Sequence, residues 1–153
     1  MNINLIKTSD INKINNLVKK DYFNIALGGN EDINRKLLEN KKINMLLDPE
    51  PNSGDFMHYK NSGLNQVLVK IAKKNNIMIG FSLKRILEIY DKSSLLGKIM
   101  QNIVLCNKYQ VKTAIVNLID NEKDECNIND LKSLGLTLGI LPGKINIIQE
   151  ILK

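Results

Sequence analysis

The chain has 153 residues, a length that indicates one globular domain with a hydrophobic core of its own. Hydrophobic residues make up 43% and charged residues 25%, and no apolar stretch approaches the ~20 residues that a membrane-spanning helix needs. The 22 basic and 16 acidic residues give a net charge of +6, which favours a nucleic acid, an acidic protein or an anionic lipid as partner, although many globular proteins carry as much charge.

Short apolar runs along the chain predict six β-strands. Each run is rich in Ile, Leu or Val and is apolar at nearly every position, which is typical of parallel strands that are covered on both faces. The predicted strands cover residues 3–6, 23–28, 43–47, 77–83, 113–118 and 136–140.

Segments with a helical period lie between these strands. Asp10 suits the N-cap of the first helix, and Glu31 and Asp32 suit the positive start of the second. The segment 84–109 predicts two helices that are separated near residues 91–94. Further helices are predicted in residues 62–76, 127–135 and 143–153.

The alternation of strand and helix indicates an α/β fold with parallel strands. Six such units are too few for an ordinary eight-stranded barrel. The pattern leaves two architectures open, which are an open or incomplete barrel and a doubly wound sheet. In either case residues 1–153 are expected to form a single domain.

The sequence contains no recognisable motif of an enzyme or cofactor site. Neither GxGxxG after a strand, nor GxxxxGK[ST], nor GxSxG occurs, so we expect no cofactor, and the glycines of "LGGN" (27–30) favour a turn over a phosphate loop. Cys106 and Cys126 give neither a disulfide framework nor a metal-binding spacing. The start, "MNINLIKTSD", lacks the features of a signal peptide, and we expect a cytoplasmic protein.

Carboxylates cluster after the third predicted strand, at the strand end where α/β folds place their sites. Asp48, Glu50 and Asp55 could bind a divalent ion through oxygen ligands, with His58, the one histidine of the chain, close by. More often such a stretch is a solvated turn, which two prolines and a glycine would shape here. The cluster keeps open an alternative function, that of a small metal-dependent α/β-barrel hydrolase of the phosphoesterase kind.

The middle of the chain carries most of the excess positive charge. We predict a helix that Ser62 caps, with Lys70 and Lys73 opposite an apolar stripe. The predicted stripe consists of Leu64, Val67, Leu68, Ile71 and Ala72. Between residues 55 and 90, six basic residues stand against two acidic ones, a local balance of +4. The six basic residues are Lys60, Lys70, Lys73, Lys74, Lys84 and Arg85.

The pattern alone leaves the role of these six cations open. They form an ordinary solvated surface, they meet an acidic protein, or they form one RNA-binding surface on which several lysines add their counterion-release contributions. The last interpretation is the sharpest, and it requires the six side chains to converge in the folded chain.

Four segments of this sequence together resemble a known family. They are "GLNQVLVK" (63–70), the apolar "IMIGFSL" (77–83), "CNKYQVKTAIV" (106–116) and "DLKSLGLTLG" (130–139). In order and spacing, from about residue 43 to the end, they are similar to the archaeal ribonuclease P protein component 3, the counterpart of the thirty-kilodalton subunit of the eukaryotic enzyme.

The resemblance implies a TIM-barrel-like α/β fold akin to the polymerase-and-histidinol-phosphatase barrels, in one domain over residues 1–153. Members of the family usually begin with about two further βα units, so we expect the barrel to be incomplete at its N-terminal side. The sequence departs from the family pattern at Asn117 and Leu118, where relatives carry a turn of small residues, and at Asn129, where they often carry an arginine.

The resemblance also implies a function. Members are noncatalytic subunits of the ribonucleoprotein that removes the 5′ leader of precursor tRNA, and its RNA subunit performs the chemistry. The implied partners are ribonuclease P RNA, a smaller protein subunit, precursor tRNA indirectly, and a second copy of the chain within a heterotetramer, with no membrane. Lys70 falls on the basic position of the helix motif and Lys84 on a position after the strand that is often basic. Local charge alone adds Lys60, Lys73, Lys74 and Arg85 to the expected RNA-binding residues.

Overall fold

Six parallel strands form a single curled sheet in the computed structural model, which describes residues 1–8 and 10–152. Each strand pairs with the strands that precede and follow it in the chain, and every pair is parallel. A doubly wound sheet would reverse its strand order at a switch point, so this order excludes that alternative and confirms a barrel-like fold that is only partly closed. The strands are β1 (Ile3–Ile6), β2 (Phe23–Leu27), β3 (Met45–Leu47), β4 (Met78–Ser82), β5 (Thr113–Ile119) and β6 (Ile145–Ile151).

Each α-helix begins at a side-chain cap. An Asp, Asn or Ser side-chain oxygen accepts a hydrogen bond from an N–H group two or three residues later, which satisfies a donor that the helix start leaves free. The six caps are Asp10, Asn30, Asn65, Ser82, Asp91 and Asn127. The helices are α1 (Ile11–Leu17), α2 (Glu31–Glu39), α3 (Gln66–Asn75), α4 (Leu83–Glu88), α5 (Lys92–Tyr109) and α6 (Ile128–Leu138).

The two faces of the sheet are both apolar, as the continuous hydrophobic runs predict. One face packs against the helices and contributes Ile79, Phe81 and Ile115 to the main core. The other lines the inside of the curl and forms a smaller cluster. Gly80 belongs to the inner face, where a Cβ atom would lie 2.6 Å from the Sδ of Met45, so the interior has no room for a side chain there.

The edge strands β1 and β6 approach each other without pairing. Residues of both line a cavity of about 550 Å³, and the N-terminal ammonium lies 3.8 Å from the Glu150 carboxylate. The sheet therefore curls far enough to bring its two edges to one opening. Among the described residues, none of the helices has the length and hydropathy that crossing a membrane would take.

Two predicted elements near the C-terminus are wrong. Residues 136–140 are not a strand, because Leu131, Leu134 and Leu138 follow a helical spacing and continue α6 to its left-handed cap at Gly139. The helix predicted for residues 143–153 is wrong over residues 143–152, because the chain turns at Gly143 and pairs over seven residues with β5; residue 153 lies outside the described residues. The cap of α3 is also different from the prediction.

Asn65, and not Ser62, accepts the hydrogen bond from the N–H of Leu68 and begins α3. The buried face of the helix consists of Leu68, Val69 and Ala72, whereas Val67, which was expected in the core, is 55% exposed. The stripe therefore lies slightly further round the helix than predicted, and Lys70 and Lys73 remain exposed.

Candidate nucleic-acid interface

The loop after β3 turns two of its carboxylates into the protein. Asp48 adopts a left-handed backbone conformation (φ 51°), and its Oδ1 accepts a hydrogen bond of 2.8 Å from the N–H of Ser82 at the end of β4. Glu50 is 2% exposed, and its carboxylate accepts from the amide of Asn102 at 2.8 Å. The guanidinium of Arg85 lies 3.3 Å from the other oxygen of Glu50. These carboxylates thus bind groups of the same chain.

Burial makes both acids weaker. It raises the pKa of Asp48 to about 6, against the opposite effects of the Ser82 hydrogen bond and of Arg85. It raises the pKa of Glu50 to about 8, with the charge of Asp48 as a second cause and with Asn102 and Arg85 acting in the opposite direction. Near neutral pH Glu50 therefore holds a proton much of the time, which suits a structural hydrogen-bonding group.

Two more buried polar side chains hold the same loop, and both were missed in the sequence. The ammonium of Lys98, a residue only 4% exposed, donates to the carbonyls of Pro51 (3.2 Å) and Ser53 (2.7 Å). The amide of Asn34 donates to the carbonyls of Pro49 and Gly63, each at 2.8 Å. Lys98 stands within the apolar stripe of α5, and this position is the signal in the sequence that could have identified it.

The residues of the hydrolase hypothesis do not form one site. Asp55 and His58 are exposed, and Asp55 pairs with Lys60 at 3.6 Å, whereas Asp48 and Glu50 are buried. Within residues 1–8 and 10–152, no group of three or more His, Cys, Asp and Glu side chains is placed to hold a metal ion. Burial raises the pKa of Cys106 to about 12, so its thiol belongs to the core.

The six candidate RNA-binding residues fall into two sets. Lys60, Lys84 and Arg85 each contact a carboxylate, at 3.6 Å, 3.2 Å and 3.3 Å. Lys70, Lys73 and Lys74 are exposed on α3, and no carboxylate of the described residues lies within 4.0 Å of their ammonium groups. The cationic charge of α3 is therefore free to meet an anion from outside.

Members of the two sets also lie at opposite ends of the sheet. Lys84 and Arg85 follow β4 directly and stand at the carboxyl ends of the strands. Helix α3 starts after β3 and returns the chain to the start of β4, so its last turn, with Lys73 and Lys74, lies at the amino ends. The expectation that all six cations converge is wrong. Strand β4 runs from the end of α3 to Lys84 and Arg85, so its length separates Lys73 and Lys74 from Lys84 and Arg85.

Lys70 of α3 has an aromatic neighbour on α5. The ammonium of Lys70 lies 5.5 Å from the ring centre of Tyr109, and that of Lys108 lies 5.6 Å from the same ring. Lys73 donates a hydrogen bond of 2.8 Å to the carbonyl of Gln110, which directs its side chain toward the end of α5. The surface around Tyr109 thus combines lysines with an aromatic ring, as nucleic-acid-binding surfaces often do.

Comparison with known proteins relates the chain to one group of archaeal proteins. No family model matches it. It is 30% identical to the ribonuclease P protein component 3 of Methanococcus vannielii over 116 residues, which cover 72% of this chain and 48% of that protein. It is 32% identical to the protein of the same name from Methanosarcina mazei over 111 residues, 71% of this chain and 41% of that protein. The chain thus spans less than half the length of these relatives.

The fold has a solved counterpart. A chain in the cryo-EM structure of archaeal ribonuclease P with mature tRNA matches with a TM-score of 0.70 and 24% identity, over 88% of this chain and 58% of that one. The similar sequences and the similar fold agree with the resemblance that the four sequence segments indicate, and the chain is a relative of archaeal ribonuclease P protein component 3.

Proposed function

We propose that this chain is a noncatalytic protein subunit of ribonuclease P that binds and supports the catalytic RNA in the 5′ maturation of precursor tRNA. The observation that carries the proposal is the sequence similarity, over about seven tenths of the chain, to curated proteins named ribonuclease P protein component 3. The fold shared with a chain of an archaeal ribonuclease P structure supports it.

The strand ends support a role without catalysis by this chain. In many α/β barrels the reacting groups stand at the carboxyl ends of the strands. Here Asp48 and Glu50 occupy that position. The carboxylate of Asp48 accepts a hydrogen bond from the N–H of Ser82, and that of Glu50 accepts hydrogen bonds from Asn102 and Arg85. The carboxylates at the strand ends, where an enzyme of this fold would carry its reacting groups, therefore stabilise the loop after β3. This is a structural role and not a catalytic one.

The exposed lysines supply the RNA contacts in this proposal. The α3 lysines at positions 70, 73 and 74 face solvent without a carboxylate partner among the described residues. A phosphate that binds them displaces no protein carboxylate, so we expect them to contribute the most to the free energy of RNA binding. Lys60 and Lys84 contribute as well, because exposed ion pairs are weak and exchange for other anions.

Arg85 has a different role in the proposal. Its guanidinium donates to the carbonyl of Glu50 at 2.7 Å and to the side chain of Asn52 at 3.1 Å, besides its contact with the Glu50 carboxylate. We therefore assign it to the scaffold, and we leave phosphate binding to the lysines. The proposed partners are ribonuclease P RNA, a smaller protein subunit and, through the RNA, precursor tRNA, with pairing of two copies of the chain inside the assembly.

Reconstitution tests this function directly. Cognate ribonuclease P RNA and the other protein subunits are combined with and without the chain, and the cleavage of precursor tRNA is followed at low magnesium, where charge neutralisation by protein matters most. We expect cleavage at the 5′ leader to depend on the chain, and the chain alone to cleave nothing. Equal cleavage with and without it would contradict the proposal, as would chelator-sensitive phosphatase activity of the isolated chain.

A further inference from the structure

A concave surface of about 350 Å³ lies at the amino ends of β5 and β6, beside the last turn of α3. Lys73, Lys112 and Lys144 line it, together with uncharged residues that include Asn107, Gln110 and Asn146. Lys73 comes from α3, Lys112 precedes β5, and Lys144 follows the turn before β6. The fold thus brings three lysines together that lie up to 71 positions apart in the chain, from 144 − 73.

Among residues 1–8 and 10–152, the lysines of this concavity have no counterions. No Asp or Glu lines the concavity, and none within the described part of the chain lies within 4.0 Å of Lys73, Lys112 or Lys144. Lys70 and Lys108, whose ammonium groups lie near the ring of Tyr109, are without such a contact as well; Tyr109 precedes Gln110, which lines the concavity. Five lysines therefore repel one another at this end of the sheet, and an external polyanion would relieve that repulsion.

The opposite end of the sheet has the reverse charge. A cavity of about 460 Å³ at the carboxyl ends of β4 and β5 contains two lysines, Lys84 and Lys123. Four carboxylates outnumber them in its lining, namely Glu88, Asp120, Asp124 and Glu125. A polyanion is therefore attracted less strongly to this end than to the amino ends of the strands, where no carboxylate of the described residues lines the concavity.

The chain also positions the groups of the concavity before any ligand arrives. The ammonium of Lys73 donates a hydrogen bond of 2.8 Å to the carbonyl of Gln110, a residue in the left-handed conformation (φ 56°). Lys144 directly follows the turn at Gly143 (φ 77°). The side-chain amide of Asn146 donates a hydrogen bond of 2.9 Å to the carbonyl of Thr113. Side chains that are already restrained lose less conformational entropy on binding.

We propose that this concavity binds backbone phosphates of RNA, with Lys73, Lys112 and Lys144 as the cations and with the partly exposed ring of Tyr109, next to Gln110 in the chain, as a stacking surface for a base. The proposal rests on the proposed function, which supplies the polyanion, and adds a binding surface at the amino ends of the strands and two residues, Lys112 and Lys144, that sequence reasoning missed. Lysines combined with a partly exposed aromatic ring favour a nucleic acid over an acidic protein.

Salt-dependent binding to cognate ribonuclease P RNA, without other proteins, tests the proposal. The variants are the K112E/K144E pair and the milder K112Q/K144Q pair. From the slope of about −0.7 to −0.9 per phosphate contact, the loss of two contacts weakens binding about twentyfold at 0.15 M salt and lowers the salt slope by about two. The matched control is Lys123→Glu, an exposed lysine of the acidic end, and we expect it to bind within about twofold of wild type.

The outcomes separate this inference from the proposed function. If the wild type binds the RNA and supports cleavage while both double variants behave like the Lys123→Glu control, the inference is wrong and the function stands. If the variants keep RNA binding and lose only the association with a partner protein, the concavity is a protein surface and the inference is wrong too. If the wild type neither binds the RNA nor supports cleavage, the proposed function fails first. Thermal unfolding checks that each variant is folded, as substitutions of exposed lysines should be.

Discussion

The guanidinium of Arg85 lies 3.3 Å from the carboxylate of Glu50 and joins the helix after β4 to the loop after β3. The Glu50 side chain is fully buried and that of Arg85 is 20% exposed. Removal of the arginine therefore takes the hydrogen-bond donors from a buried carboxyl oxygen and from the backbone carbonyl of Glu50, whether or not the carboxyl group holds a proton. We predict that Arg85→Met lowers the free energy of unfolding by about 2–3 kcal/mol, less than for a fully buried pair because water reaches the guanidinium.

Urea denaturation measures this effect, and the neighbouring Lys84→Met is the matched control. Lys84 pairs with Asp120 at 3.2 Å on an exposed surface, and such pairs contribute little to stability. We expect the control to keep the unfolding midpoint of the wild type. Equal midpoints for the two variants would contradict the structural role of Arg85.

The buried acids predict that stability falls as the pH rises. Because the pKa of Glu50 is raised to about 8 and that of Asp48 to about 6, the folded chain binds more protons than the unfolded chain between about pH 4 and 8. Their contribution is present at the acid end of this window and is lost as the pH passes through the folded-state values. The free energy of unfolding should decrease by a few kcal/mol from pH 5 to pH 8.

Urea titrations at pH 5, 6, 7 and 8 test this dependence in the wild type and in Glu50→Gln, whose neutral amide resembles the protonated acid. We expect the variant to lose most of the dependence. Asp55→Asn, which changes an exposed carboxylate of the same loop, should keep the wild-type slope. A wild type that becomes more stable toward pH 8 would show that the ion pair with Arg85 outweighs burial.

The glycine that begins the "GLNQVLVK" segment has a steric role. Gly63 has φ +77°, and a Cβ atom there would lie 1.9 Å from the carbonyl oxygen of Pro49, a group that Asn34 already binds. We predict that Gly63→Ala costs about 3 kcal/mol or more of stability, because both the backbone conformation and the contact oppose it. Gly54→Ala is the control, since a Cβ atom at Gly54 meets nothing within 4 Å.

Thermal or urea unfolding of the two glycine variants gives the comparison. Gly54→Ala should stay within about 0.5 kcal/mol of the wild type or be slightly more stable, because alanine restricts the unfolded chain. If Gly63→Ala were as stable as Gly54→Ala, the close approach of the loop after β3 to the start of α3 would be incorrect.

Local patterns were sufficient for most of the fold. The continuous apolar runs predict the first five strands to within two residues at each end, and the class follows from their alternation with helices. The last unit was not predictable in this way, because Ile145, Ile148 and Leu152 have a helical spacing. Pairing with β5, a contact between distant segments, makes this segment a strand.

The candidate site shows the same limit. The helical period of α3 places Lys70 and Lys73 correctly on an exposed face. It does not reveal that Arg85 pairs with Glu50, 35 positions earlier, or that Lys112 and Lys144 meet Lys73, since chain folding alone brings these groups together. The local balance of charge along the sequence therefore identifies the basic residues. It does not distinguish those that form ion pairs within the fold from those that do not.

The central claim is that the free lysines of α3 bind RNA on a scaffold that performs no chemistry. The most direct measurement is the rate of precursor tRNA cleavage by the reconstituted enzyme at low magnesium, with wild-type chain, with K70E/K73E and with the Lys123→Glu control. We expect the double variant to lose about tenfold or more of the rate and to regain it as magnesium replaces the missing charge, while the control matches the wild type. A double variant as active as the wild type at low magnesium would contradict the account.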